Sequence, residues 1–289
     1  MKKTLAILFV LLLAASVIAQ SVTEVSSNED DLRIVSLAPN VTEIIYALGS
    51  GDQLVGRTDY CNYPEEALAI TSIGTLWEPN LEAILSLDAD IAIASSIVDP
   101  SFIDSLKAAG IEAYQFYEEE SIDGTYALIE KVAACIGKEV EAAEIVKSMK
   151  DRIAAVQAKV STIPADQKKS CVYMIGYGEW GDYAATGETY LNDVIEVAGG
   201  INAAAAGSFW SITKELLIAE DPNVILLGAY SYSDPNDVKH FTELAPYSEL
   251  TASKTGNVLT INGDAAERQG VRTADCVEEI AKALYPELF

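Results

Sequence analysis

Short apolar runs alternate with amphipathic segments along nearly the whole chain. RIVSL (33–37) leads into VTEIIYALG, LVGRTDY (54–60), NLEAILSL, DIAIA (90–94), PSFIDSLKAAG and EAYQF (112–116). Strands alternating with helices predict α/β layers with a mostly parallel sheet. The same grammar restarts at SCVYMIG (170–176). It continues through YLNDVIEVAGG, a helix from about Thr213 to Ala219, NVILLG (223–228), a helix around 235–245, VLTIN (258–262) and a closing helix ending near Leu284. EIIYALG and VIEVAGG each end on glycine, as helices capped by a left-handed residue do.

Between the two halves, residues 138–163 contain neither Gly nor Pro. Val140, Ala143, Ile145, Val146, Met149, Ile153 and Val156 recur there at helical spacing. The pattern predicts a stiff linking helix, where a flexible joint would use Gly and Ser. Two α/β lobes, 32–137 and 164–289, would then flank a largely preformed cleft.

The halves also share a sentence. WEPNLEAILSLDADIAIA (77–94) and WSITKELLIAEDPNVILL (210–227) superimpose at an offset of 133, Trp77 on Trp210, Glu82 on Glu215 and Asp88 on Asp221. Asn80 and Thr213 are good N-caps, placing each Glu at the second helical position. An acid in the first turn complements the helix dipole. The equivalence adds another reading: two matched prongs suit a partner that is itself a symmetric dimer, meeting arginines through salt-sensitive contacts.

The N-terminus changes the setting. MKK, an apolar run from Leu5 to Leu13 and small residues up to Ala19 have the form of an export signal, followed by a polar leader over 20–31. No Cys stands at the cleavage point to carry a lipid, and an uncleaved signal would act as an anchor. Beyond residue 19, 17 basic residues face 44 acidic ones, a net charge of −27 that repels nucleic acid and anionic lipid. His240 is the only histidine, which excludes His-based metal cages and most catalytic triads. The four cysteines, Cys61, Cys135, Cys171 and Cys276, form no CxxC clip and are read either as disulfides or as buried thiols.

Candidate chemistry gathers after predicted strand ends, where open α/β sheets bind ligands. Tyr60, Trp77, Tyr177, Trp180, Phe209, Trp210 and Tyr230 would line a cleft for a large, flat, partly apolar ligand. Tyr63, Tyr183 and Tyr232 belong to the same set, and part of it is expected in the core. GYGEWG (176–181) matches the glycine spacing of a dinucleotide loop, but no helix opens on its third glycine, so an aromatic cleft loop is the better reading. Asp264, Glu267 and Arg268 follow VLTIN, either to hydrogen-bond ligand amides or to solvate a loop. NVT at Asn40 has the form of a glycosylation triplet, and a helix cap explains it more cheaply. No P-loop, HExxH or GxSxG is present, so nothing requires catalysis or a cofactor. An exported hydrolase working with carboxylates is the competing class.

At these residues the chain resembles the helical-backbone class of periplasmic substrate-binding proteins of ABC importers, the cobalamin, haem and iron–siderophore binders. The carrier is RIVSLAPNVTEIIYALGSGDQLVGRTDYCNYPEEA, with its strand, P-x-x-T-E helix start, LG and Tyr-Pro turn. The resemblance implies two lobes on one long helix, small closure, and one surface glutamate per lobe docking on a membrane permease dimer, here Glu82 and Glu215. Cobalamin-binding members are the most similar. They imply ligand contacts from Tyr60, Trp77, Phe209–Trp210 and Asp264, and hence a corrinoid bound by a monomer; a ferric siderophore or haem is the alternative. Departures stand near Ser95–Ser96, at Ala184 and at Ala198, where that family has a Trp, a Phe and one cysteine of a pair.

Overall fold

The computed structural model describes residues 32–95, 97–230 and 232–289. The export signal expected over 1–19, the leader over 20–31 and Ser96 lie outside the described residues. Arg33–Phe289 forms one compact unit.

The first lobe runs β1 (Ile34–Ser36), α1 (Pro39–Ala47), β2 (Leu54–Arg57), β3 (Thr71–Ser72), α2 (Leu81–Ser86), β4 (Ile91–Ser95), α3 (Pro100–Ala108), β5 (Glu112–Phe116) and α4 (Ile122–Cys135). Its sheet has the order β3-β2-β1-β4-β5 and is parallel throughout. The linking helix α5 spans Glu139–Val160. Then come β6 (Ser170–Gly176), β7 (Asp182–Ala184), α6 (Tyr190–Val197), β8 (Ile201–Asn202), β9 (Ser211–Ile212), α7 (Lys214–Glu220) and β10 (Val224–Ala229). The chain closes with α8 (Asp237–Glu243), α9 (Thr251–Thr255), β11 (Val258–Asn262), α10 (Gly263–Glu267) and α11 (Thr273–Leu284). The second sheet, β11-β10-β6-β7-β9, keeps β10, β11 and β8 parallel, whereas β7 and β9 run antiparallel. The class expected from the alternation, α/β with mostly parallel sheets flanked by helices, is the one observed.

The duplication is visible in the backbone. Ile34 pairs with Ile91 in the first sheet, and Cys171 with Val224 in the second. Gly49 and Gly199 follow equivalent helices with φ of 77° and 87°. Asp88 and Asp221, which the sequence offset equates, are both left-handed, at 47° and 36°. An aspartate is among the few residues that tolerate this region.

Helix α5, at about 1.5 Å per residue, is roughly 33 Å long. Its buried stripe is Ala142, Val146, Met149, Ile153, Val156 and Val160, spaced by three or four residues. Val140 and Ala143, expected on the apolar face, are exposed instead, because the stripe sits one step round from them. The helix packs against α4 of the first lobe and α11 of the second. Arg152 reaches Glu278 at 2.8 Å and Asp275 at 2.5 Å on α11, and the Lys150 ammonium lies 4.7 Å from the Tyr126 ring of α4.

Further bonds tie lobe to lobe. Glu43 of α1, buried at 2% exposure, accepts Arg272 Nε at 2.7 Å, Arg272 Nη2 at 2.5 Å and Arg268 Nη1 at 2.9 Å. Asn40 does not cap α1; Ala38 holds that position. The Asn40 amide instead donates to Gln269 O at 3.0 Å, and its oxygen accepts from Ser95 Oγ at 2.7 Å. The four cysteines are free thiols, Cys61, Cys171 and Cys276 being buried. Among the described residues no helix is long and apolar enough to cross a membrane.

Candidate ligand cleft and docking surface

A cavity of about 500 Å³ opens between the two sheets, at the carboxyl ends of their strands. The first lobe contributes residues that follow β1, β2, β4 and β5, among them Asn40, Tyr60, Ser95, Phe116, Glu118 and Glu120. The second contributes Trp210, Tyr230, Tyr232, Asp264, Glu267 and Arg268. The volume lies within the usual ~300–1,000 Å³ of small-molecule sites.

Of the residues expected at the cleft, Tyr60, Trp210, Tyr230, Asp264 and Arg268 meet there. Trp77, also expected there, is not among the lining residues; it meets Tyr60 edge-on at 5.4 Å between centroids and is 61% exposed. Tyr230 and Tyr232 stack in parallel, their centroids 5.1 Å apart.

Tyr177, Trp180 and Phe209 are not among the lining residues. Tyr177 turns into the second lobe, edge-on to Phe241 at 4.9 Å, and its hydroxyl donates to Asp237 O at 3.1 Å. The loop bearing Trp180 is held from beneath: the buried Asp182 carboxylate accepts Gly178 N and Tyr247 OH, and Lys214 Nζ donates to Gly178 O at 2.8 Å. Trp180 is left 87% exposed. Phe209 and Trp210 form the centre of a two-residue hairpin closed by Ser208 and Ser211, with φ of 50° and 59°. Both central residues of such a turn must be left-handed, a place normally taken by Asn-Gly. Trp210 reaches the cleft while Phe209, its neighbour, is 89% exposed.

Sequence reasoning passed over Phe116, Glu118, Glu120 and Gln269. Two of them could have been found by its own rule, since Phe116 ends β5 and Glu118 lies two residues on. Glu120 Oε2 accepts Tyr190 N at 3.1 Å, and Gln269 Nε2 donates to Glu119 O and Ser121 O. Glu118 pairs with Lys131.

The electrostatics of the cleft are one-sided. Four carboxyl groups, on Glu118, Glu120, Asp264 and Glu267, share the wall with a single guanidinium. That guanidinium, Arg268, is already engaged by Glu43, by Asp264 Oδ1 at 2.6 Å, by Asn62 Oδ1 at 2.7 Å and by Tyr60 O. Burial pushes the Glu267 carboxyl above its ordinary range, although hydrogen bonds from Tyr230 and Tyr173 pull the other way. The same burial raises both tyrosine hydroxyls far above theirs. No group of three or more His, Cys, Asp or Glu able to hold a metal ion occurs among the described residues.

Glu82 and Glu215 are both exposed and hold equivalent positions in α2 and α7. The caps are as expected: Asn80 accepts from Ala83 N at 3.0 Å and Thr213 from Leu216 N at 3.1 Å. Neither glutamate is ion-paired to another described residue.

Residues 34–265 match the family model of the periplasmic binding proteins. The chain belongs to this family. Its members are solute-binding proteins rather than enzymes. Among curated relatives, the chain is 32% identical to the uncharacterized ABC transporter substrate-binding lipoprotein YvrC of Bacillus subtilis over 92% of this chain and 84% of the relative. It is 28% identical to a cobalamin-binding protein of Halobacterium salinarum, over 91% and 72% of the two chains. Among solved structures, the periplasmic haem-binding protein RhuT of Roseiflexus superimposes with a TM-score of 0.80 at 25% identity, over 90% of this chain and all of that one.

Proposed function

We propose that this protein is the exported substrate-binding component of an ABC importer, capturing a corrinoid between its lobes and delivering it to a permease dimer. The observation that carries the ligand class is the pairing of aromatic faces with a carboxyl-rich wall. A corrin is broad, flat and edged with neutral primary amides. Tyr60, Trp210 and Tyr230 supply apolar faces for such a ring, and the carboxyl groups supply acceptors for its amide N–H groups. A ligand carrying anionic groups of its own, such as haem with its two propionates or a carboxylate-type ferric siderophore, would set like charge against like, and such juxtapositions cost several kcal/mol. Among the described residues the one guanidinium in the wall, Arg268, is committed to Glu43 and Asp264.

Haem remains the second reading because of the likeness to a haem-binding fold. Calorimetric titration against cyanocobalamin, haemin and a ferric siderophore separates the two. The proposal requires one-to-one binding of cyanocobalamin, with the ligand recovered unaltered; preference for haemin or the siderophore overturns it. For delivery, Glu82 and Glu215 are the docking residues, each exposed on the first turn of equivalent helices. The signal-like sequence over 1–19 and the relative named as a lipoprotein support a place outside the cytoplasmic membrane.

A further inference from the structure

The wall of the cleft contains one acceptor whose fittings go beyond general lining. Glu267 Oε1 accepts two phenolic O–H groups, from Tyr173 at 2.7 Å and from Tyr230. Tyr173 is fully buried on β6, and Tyr230 stands just beyond the end of β10. Two glycines make the room. A Cβ on Gly228 would lie 2.4 Å from Tyr173 Oη, and one on Gly263 would lie 2.6 Å from the Tyr230 ring. Any side chain at either site would push a tyrosine off the carboxyl group. Both tyrosines are therefore spent on one oxygen, which fixes the plane of the carboxyl and leaves Oε2 with no hydrogen-bond donor among the described residues. Glu267 makes no ion pair with another described residue either, although it lines the cavity. Oε2 is not enclosed, and a ligand that covered it without donating to it would leave a carboxyl oxygen unserved, which is expensive.

We infer that Glu267 Oε2 is a specificity-determining acceptor that takes one primary-amide N–H from the rim of the ligand and rejects a carboxylate at the same place. This rests on the corrinoid reading and sharpens it. One edge amide of the ring is selected, and a corrinoid hydrolysed to the acid at that amide is refused. The acid has no N–H to donate and brings a negative charge against a carboxylate held in place by two tyrosines.

The test compares cyanocobalamin with its separate mono-acids, each having one peripheral propionamide hydrolysed, by calorimetric titration of the full chain. The wild-type protein should bind one regioisomer at least tenfold more weakly than cyanocobalamin, the order expected for a lost hydrogen bond to a charged group. Glu267→Gln keeps the oxygen that serves the tyrosines but turns an amide N–H into the cleft. It should bind cyanocobalamin about tenfold more weakly and reverse the preference toward that acid. Glu267→Ala, with neither donor nor acceptor, should bind both with equal, reduced affinity, and it provides the answer if the Gln variant fails to fold. Discrimination that persists in either variant, or its absence in the wild type, overturns this inference while leaving the corrinoid reading intact. Failure of the wild type to bind any corrinoid overturns both.

Discussion

Glu43→Ala should cost this protein about 3–5 kcal/mol, the usual penalty for breaking a buried ion pair from one side. The Glu43 side chain is 1% exposed and receives three N–H bonds from two arginines. Its removal has unequal consequences for them. Arg268 keeps Asp264, Asn62 and the Tyr60 carbonyl. Among the described residues Arg272, itself buried at 8% exposure, keeps the Tyr63 ring, 4.3 Å from its guanidinium carbon, and no other side-chain partner. The loss is mainly the cost of a desolvated Arg272 cation without a carboxylate. A domain of this size loses roughly 2–4 °C of Tm per kcal/mol, so melting followed by circular dichroism should fall by roughly 6–20 °C. Combining Glu43→Met with Arg272→Met removes both buried charges and should restore most of the loss. A single variant that loses under ~1 kcal/mol, or a double variant no better than the single, would refute the reasoning. The consequence reaches function, since Glu43 lies on α1 of the first lobe and both arginines lie in the second.

Three smaller perturbations test other parts of the fold. Cys61, Cys171 and Cys276 should resist a thiol reagent in the native state, since all three are buried and burial pushes the Cys171 thiol up to about 12; all four cysteines should react after unfolding in denaturant. Fewer than four equivalents without reductant would mean a disulfide. Phe209→Asn, at the first left-handed position of its hairpin, should raise urea stability by about 1 kcal/mol by removing a conformational cost, and an unchanged midpoint would argue against strain there. Asn80→Ala and Thr213→Ala should each cost about 1 kcal/mol through a lost cap, and faster amide exchange at Ala83 and Leu216 would locate the effect.

The regular repeat was the legible part of this chain. Strands such as VLTIN and EAYQF carry their own signal, and both are found over the residues expected. The equivalence of Asp88 and Asp221 could be read from spacing, and the two left-handed backbones agree with it. Strands β7 and β9 escaped because three residues and two residues are too few to show alternation, and their antiparallel pairing joins segments separated in sequence by α6 and β8. The aromatic loop misled for a related reason. Tyr177, Trp180 and Phe209 stand beside strand ends in sequence, but which way each ring points is decided by distant partners, Phe241 and Tyr247 for the first and the hairpin geometry for the last. Asn40 looked like a cap because Asn commonly is one; its bond to Gln269, 229 residues away, has no local trace. The acidic wall was half legible: Asp264 and Glu267 after VLTIN were candidates, whereas Glu118 and Glu120, beyond the end of β5 in the other lobe, were not.

The account stands or falls on the two lobes acting as matched halves of a delivery surface. The direct measurement is association of the corrinoid-loaded protein with its permease in lipid nanodiscs, for the wild type and for Glu82→Arg combined with Glu215→Arg. The doubly reversed protein should hold the corrinoid with unchanged affinity and fail to dock, and the wild-type association should weaken as salt is raised. Undiminished docking by the doubly reversed protein would contradict it.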